Sequence, residues 1–147
     1  MKKILHIALM IVTLALFCAI TFADVTAQAI RTTDKQDICS TRTDTIRHIE
    51  QSERKQAIVN AGINPKDSRN YEWDHRISLT VGGSNHISNM ILQSYLGKCN
   101  AHDKDKLEVL LHSLICHDKV AVIDAQELLY NRWEDGYKQY VDAKGCE

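Results

Sequence analysis

Residues 71–116 carry the pattern that most limits how this chain can fold. An aromatic and β-branched run at residues 71–81 ends at Gly82-Gly83, and a second short apolar run covers residues 90–93. Two such runs on either side of a glycine turn predict two antiparallel strands. After Asn100, a residue typical of helix N-caps, apolar side chains recur every three or four residues as far as residue 115. This period predicts an amphipathic helix that ends near Cys116.

Two further helical patterns flank this unit. Ser52 and Gly62 have the residue types of an N-cap and a stop, and a later helix is expected to begin at Asp124 with a start resembling a capping box. The apolar face of the later helix is formed by Leu128, Leu129, Trp133, Tyr137 and Tyr140. We therefore predict an α+β fold, with a two-stranded unit and its helix braced by one helix before and one after. Residues 46–147 form the domain, and residues 24–45 are predicted to be a flexible arm.

The amino terminus has the layout of a secretory signal peptide. A basic start at Lys2 and Lys3 precedes an apolar run over residues 4–22, and small residues follow at Ala23 and Ala29. We predict a signal peptide over residues 1–23, with cleavage as late as residue 29 as an alternative. A membrane anchor is the rival interpretation, because the run approaches the roughly 20 residues that span a bilayer. Export to the periplasm or the medium is the prediction, since no basic cluster follows the run.

Four cysteines remain beyond the signal: Cys39, Cys99, Cys116 and Cys146. An even number in an exported chain predicts two disulfides, with three possible pairings that the spacing leaves open. A structural metal site is disfavoured because no C-x-x-C pair is present.

The charge balance gives no sign of a nucleic-acid-binding surface. The chain has 18 basic and 19 acidic residues, and removal of the signal peptide takes only Lys2 and Lys3, which changes the net charge from −1 to −3. Basic domains bind nucleic acid through their overall charge, and this chain is not basic. Any role on nucleic acid must therefore depend on a local site.

Polar residues inside the predicted elements indicate where such a site lies. Asp74 and His75 interrupt an apolar strand, where neighbouring side chains point to opposite faces. On the predicted helix, Asp105, Glu108 and His112 fall along one polar stripe. Carboxylate and imidazole groups together suit a divalent cation.

These residues belong to a recognisable motif. The string EWDHRISLTVGGSN at residues 72–85, followed by NMILQ at residues 89–93, resembles the motif of the HNH endonuclease superfamily, D-H-x-I-P-L-x-x-G-G-S-N with a central N-L segment. The resemblance covers most of residues 47–137, and residues 104–108, 112–116 and 125–133 are similar to an exported bacterial branch of that superfamily. Two departures occur: Ser78 replaces the usual proline, and Met90-Ile91-Leu92 replaces Leu-Trp-Pro. They affect loop shape and substrate contacts rather than predicted ligands.

The resemblance implies a ββα-metal finger that hydrolyses phosphodiester bonds with one divalent ion. The expected substrate is nucleic acid, with DNA favoured and no strong sequence specificity. Mg²⁺ is the first choice of metal, with Mn²⁺, Zn²⁺ or Ni²⁺ as alternatives. The implied general base is His75, and Asn89 matches the central asparagine that orients it. The implied metal ligands are Asp74, Glu108 and His112, with His102 as the alternative third ligand.

Other interpretations of the same residues stay open. Glu108 and His112 can be a solvated helix face, and Lys104 or Arg76 can supply a phosphate contact. The first rival function is a non-catalytic exported binding module that keeps the HNH fold, and the second is a disulfide-stabilised structural protein with incidental histidines. The choice between DNA and RNA, the metal, the oligomeric state and the biological role are left open by the sequence.

Overall fold

The computed structural model describes residues 25–146, and the predicted signal peptide lies outside them. Over residues 25–146, four helices and two strands form an α+β fold, supplemented by short 3₁₀ turns. The helices are α1 (Lys35–Ser40), α2 (Gln51–Asn60), α3 (Ala101–Cys116) and α4 (Val122–Tyr140), and the strands are β1 (Tyr71–His75) and β2 (Met90–Ser94). None of the helices in this part of the chain is both long enough and apolar enough to span a membrane.

The two strands pair antiparallel, as predicted, from Tyr71 opposite Ser94 to His75 opposite Met90. The first strand is shorter than expected, because residues 79–81 form a 3₁₀ turn. Ser78 caps that turn, since its hydroxyl accepts the backbone N–H of Thr80. The serine that departs from the HNH pattern thus starts this turn with a side-chain hydrogen bond, which a proline could not make.

Helix α3 has the predicted bounds and carries a complete capping box. The Asn100 side chain accepts the backbone N–H groups of His102 and Asp103, and the Asp103 side chain accepts that of Asn100. The other two helix starts differ from the prediction. Helix α2 begins at Gln51 and helix α4 at Val122, and neither has a side-chain cap. Both helices therefore begin without the side-chain cap that the sequence pattern predicts.

Helices α3 and α4 pack against each other and form the core together with Ile38 from α1 and Val81 from the 3₁₀ turn after β1. The buried apolar cluster is made of Ile38, Val81, Leu107, Leu111, Ile115, Ala125, Leu128 and Leu129. Trp133 and Tyr140 pack against it, half-buried. The apolar periods of both helices are thus directed at each other, as the sequence pattern predicts.

The segment predicted to be a loose arm is built into the fold. Ala29 is fully buried, Ile30 forms a β-bridge with Gly83, and the backbone N–H of Arg31 donates to the Gly82 carbonyl at 2.8 Å. Gly82 has φ +87°, and a Cβ there would lie 2.4 Å from the Thr32 carbonyl oxygen. The arm prediction was wrong because these contacts are long-range, and a local polar sequence without periodicity does not reveal them.

Two disulfides resolve the pairing that the sequence left open. Cys39 bonds to Cys116 and Cys99 to Cys146, with sequence separations of 77 and 47 residues. The first fastens α1 to the end of α3, and the second fastens the C-terminal segment to the residue before the α3 cap. Both therefore hold α3 in place, one beside each of its ends.

Candidate functional site

A buried ammonium group lies between β1 and α3. The Lys104 side chain is 1% exposed, and its Nζ donates to Asp74 Oδ2 and to the His75 carbonyl oxygen, both at 2.7 Å. The same Nζ also donates to Glu108 Oε1, one turn along the helix. Because Asp74 and Glu108 are buried as well, the cluster holds two carboxylates around one cation.

The pKa values in this cluster reflect a balance between burial and pairing. Burial raises the pKa of Glu108 to about 7, against the lowering effect of the Lys104 ammonium. Burial lowers the pKa of Lys104, but Glu108 and Asp74 outweigh it, so that the net shift is upward. Lys104 therefore keeps its proton and acts as the resident cation of the cluster.

His75 lies next to Asp74 in the strand and has a different set of contacts. Its Nε2 is 3.1 Å from Asn85 Oδ1. The Asn85 amide is fixed in orientation, because Oδ1 accepts the His48 backbone N–H and Nδ2 donates to the Ile46 carbonyl oxygen. Since Oδ1 can only accept, Nε2 of His75 carries the proton and Nδ1 is left with the lone pair.

Burial also determines the charge of this imidazole. Burial lowers the pKa of His75, and the hydrogen bond to Asn85 opposes the shift only in part. The side chain is 1% exposed. His75 is therefore neutral near pH 7, with its basic nitrogen selected by Asn85.

Asn89 acts on the backbone and not on the histidine. Its amide accepts the Ile77 N–H and donates to the Ile77 and Ser84 carbonyl oxygens, at 2.8–2.9 Å, and the residue is fully buried. Asn89 thus clamps the loop between the strands. The contact with His75 that the motif implies for Asn89 is made by Asn85 instead. The position of Asn85 at the end of the GGSN string was the one sequence signal that could have indicated this role.

His112 is placed in a separate environment. Its Nε2 lies 3.4 Å from the Ile38 carbonyl oxygen and 3.8 Å from Cys116 Sγ. We looked within residues 25–146 for three His, Cys, Asp or Glu side chains whose ligand atoms all lie within 4.8 Å of one another. One group meets this condition: Cys39, His112 and Cys116. This cluster could hold a metal ion through two thiolates and an imidazole, but in the structure the two sulfurs form a disulfide.

The predicted metal ligands do not assemble as a set. Asp74 and Glu108 meet, but the Lys104 ammonium lies between them, and His112 faces the disulfide. His102, the alternative ligand, is exposed at the start of α3 and stacks on Tyr95 with ring centroids 5.1 Å apart. The donors present here therefore do not fit a divalent ion, because the position between the two carboxylates holds a lysine.

Comparisons with protein-family models, with curated proteins and with solved structures find no match for this chain. The resemblance to HNH nucleases therefore rests on the motif residues in the sequence alone.

Proposed function

We propose that this chain is an exported phosphodiester hydrolase of the HNH type that acts on nucleic acid, with DNA as the favoured substrate. The observation that carries the proposal is the state of His75, a neutral imidazole whose Nε2 is held by Asn85 and whose Nδ1 has a lone pair. The order β1, β2, α3 agrees with the ββα unit that the motif implies. The two disulfides agree with an oxidising compartment.

Hydrolysis needs a base for the attacking water and positive charge at the phosphate. In this proposal His75 Nδ1 takes a proton from water while the new P–O bond forms and the bond to the leaving oxygen breaks, and the leaving oxygen takes up a proton from solvent water. Arg47 supplies charge for the phosphate, because it is exposed and sits between Ile46 and His48, the two residues whose backbone holds Asn85. The positive charge of Arg47 also acts on the imidazole, because it contributes to the lowered pKa of His75.

No step of this proposal runs through a divalent ion, since the three predicted ligands are not together. Lys104 has a structural role in it, as the cation that neutralises Asp74 beneath the strand that carries His75. The metal requirement expected from the motif is tested by the assay below.

The test uses the chain from residue 24 onward, in its oxidised form, on plasmid DNA and on RNA. Assays contain Mg²⁺, Mn²⁺ or EDTA, so that cleavage and its metal requirement are measured together. His75→Ala should lower the cleavage rate by about 10²–10⁴-fold, the usual contribution of a general base. His117→Ala is the matched control, because His117 is an exposed histidine just past the end of α3. Equal rates for His75→Ala and the unmodified chain would remove His75 as the base.

The second candidate is a non-catalytic binding module that keeps this fold. The burial of His75 and the lysine between Asp74 and Glu108 favour it, because neither group is openly presented to a substrate. Binding of nucleic acid without cleavage under all three metal conditions would support this alternative.

A further inference from the structure

Three side chains that ligate metals meet where α1 packs against the end of α3. His112 and Cys116 are four residues apart, so both project from the same face of α3. Cys39 belongs to α1, and the ligand atoms of all three residues lie within 4.8 Å of one another. Two helices therefore bring together two sulfurs and one imidazole nitrogen from segments that are distant in the chain.

The distances in this cluster fit a zinc ion. Zinc–sulfur bonds are about 2.3 Å long and zinc–nitrogen bonds about 2.0–2.1 Å, so two ligand atoms on a tetrahedral zinc ion lie roughly 3.5–3.8 Å apart. His112 Nε2 is 3.8 Å from Cys116 Sγ. The Cα atoms of Cys39 and Cys116 are 5.8 Å apart, which allows both sulfurs to reach one ion once the bond between them is broken.

The disulfide between the two cysteines determines when this site exists, because the ligand of a metal is the thiolate. Cys39 is exposed and Cys116 is half-buried, which places the bond at the surface, where a reductant reaches it. His112 is half-buried, with Nε2 3.4 Å from the Ile38 carbonyl oxygen. Metal binding replaces that contact and needs the tautomer with its proton on Nδ1.

We propose that Cys39, His112 and Cys116 form a zinc site when their disulfide is reduced. A dithiol supplies two electrons and two protons: its own sulfurs become a disulfide, and the two cysteines become thiols. Zn²⁺ then displaces both thiol protons to solvent and binds the two sulfurs and His112 Nε2. Water completes the tetrahedron, because the cluster has three members within residues 25–146. The link between α1 and α3 is thus covalent in the oxidised chain and held by metal in the reduced chain.

The test titrates the chain from residue 24 onward with Co²⁺, whose absorption reports thiolate ligands and tetrahedral geometry, and then adds Zn²⁺. The oxidised chain is compared with the chain reduced by a water-soluble phosphine, which is converted to its oxide and leaves no competing thiol. The reduced chain should bind one Co²⁺ with a sulfur-to-metal charge-transfer band that Zn²⁺ removes, and the oxidised chain should show no band. Zn²⁺ should also raise the melting temperature of the reduced chain, because the ion binds its folded form.

Paired variants identify the ligands. Replacing Cys39 and Cys116 by serine should abolish the band of the reduced chain. Replacing Cys99 and Cys146 should leave it unchanged, since these two belong to no such cluster within the described residues. His112→Ala should weaken Zn²⁺ binding at least about tenfold, because even partners outside the coordination shell contribute about 10–100-fold to metal affinity. His117→Ala is the matched control, since His117 is exposed just past the end of α3.

Circular dichroism of the reduced chain, recorded with and without Zn²⁺, shows whether its helices are present. A helical signal that is lost on reduction and not regained with Zn²⁺ would overturn the proposal, because the ligands are then not held together. Absence of the charge-transfer band, equal bands in the two cysteine double variants, or equal Zn²⁺ affinities of His112→Ala and His117→Ala would overturn it as well. None of these outcomes bears on the proposed hydrolase, which is assayed in the oxidised form.

Discussion

The two halves of α3 present the same helical stripe to very different neighbours. Lys104, Glu108, His112 and Cys116 follow one another at intervals of four residues. Lys104 and Glu108 face β1 and form a buried ionic cluster with Asp74. His112 and Cys116 face α1, where a backbone carbonyl and a disulfide surround the imidazole.

The difference shows why spacing along a helix does not by itself define a binding site. Residues four apart are neighbours on the surface, but each step moves about 40° around the axis and about 6 Å along it. The partner opposite the stripe therefore changes from a strand to a helix between Glu108 and His112. In one half the stripe carries the lysine that neutralises two buried carboxylates, and in the other half it carries the disulfide that joins α3 to α1.

The largest expected effect comes from removing the cation of the first half. Lys104→Met leaves Asp74 and Glu108 buried without their shared ammonium, and loss of one partner of a buried pair costs about 3–5 kcal/mol. Urea unfolding followed by circular dichroism measures the change.

Lys106→Met is the control for this prediction. Lys106 pairs with Asp103 at the surface, with its own side chain 58% exposed, and such pairs contribute about 0–1 kcal/mol. Similar losses for the two variants would mean that the ionic cluster has no special role. The same Lys104→Met protein should bind Mn²⁺ more tightly than the unmodified chain by calorimetry, since two carboxylates then lack a cation.

The second half should respond to loss of its covalent bond. Replacing Cys39 and Cys116 together by serine should lower the free energy of unfolding by about 2–4 kcal/mol. The matched pair is Cys99 and Cys146, whose loop is shorter at 47 residues against 77, so its removal should cost about 0.4 kcal/mol less. Unfolding under non-reducing conditions measures both, and the reverse ranking would show that loop length is not what separates them.

A smaller effect is expected from replacing Asn85, whose partner His75 lies on the strand next to the ionic cluster. Asn85→Leu removes one hydrogen bond from His75, worth about 1 kcal/mol, and should slow cleavage roughly fivefold. Because that bond raises the pKa of His75, its loss should also move the acidic limb of the rate profile to lower pH. A change in rate with no movement of the limb would indicate a purely structural role for Asn85.

The unmodified chain makes a related pH prediction. Burial lowers the pKa of His75 below its usual 6.5. The proposed base therefore stays neutral at pH 6.5, and the cleavage rate should start to fall only below that pH. The free energy of unfolding should depend on pH in the same direction. The unfolded chain takes up the proton first, so the contribution of His75 to stability falls as the pH drops below about 6.5. Parallel rate and unfolding measurements between neutral and acidic pH test both statements, and a limb above 6.5 contradicts them.

The smallest expected effect is at His112. His112→Ala removes one long contact to the Ile38 carbonyl oxygen and should change stability by no more than about 1 kcal/mol. Cleavage and metal affinity of the oxidised chain should not change, because His112 lies away from Asp74 and Lys104. A large loss of cleavage with this variant would return His112 to the predicted ligand set.

The sequence by itself determined the strand pair and the helix that follows it. Strand pairing and the capped helix from Asn100 to Cys116 were readable because alternation, helical period and capping are short-range signals. The tertiary structure decided which residues meet. Lys104 between two carboxylates, Asn85 on His75, and α1 fastened to α3 all depend on contacts between segments distant in the chain, and no local pattern reports them.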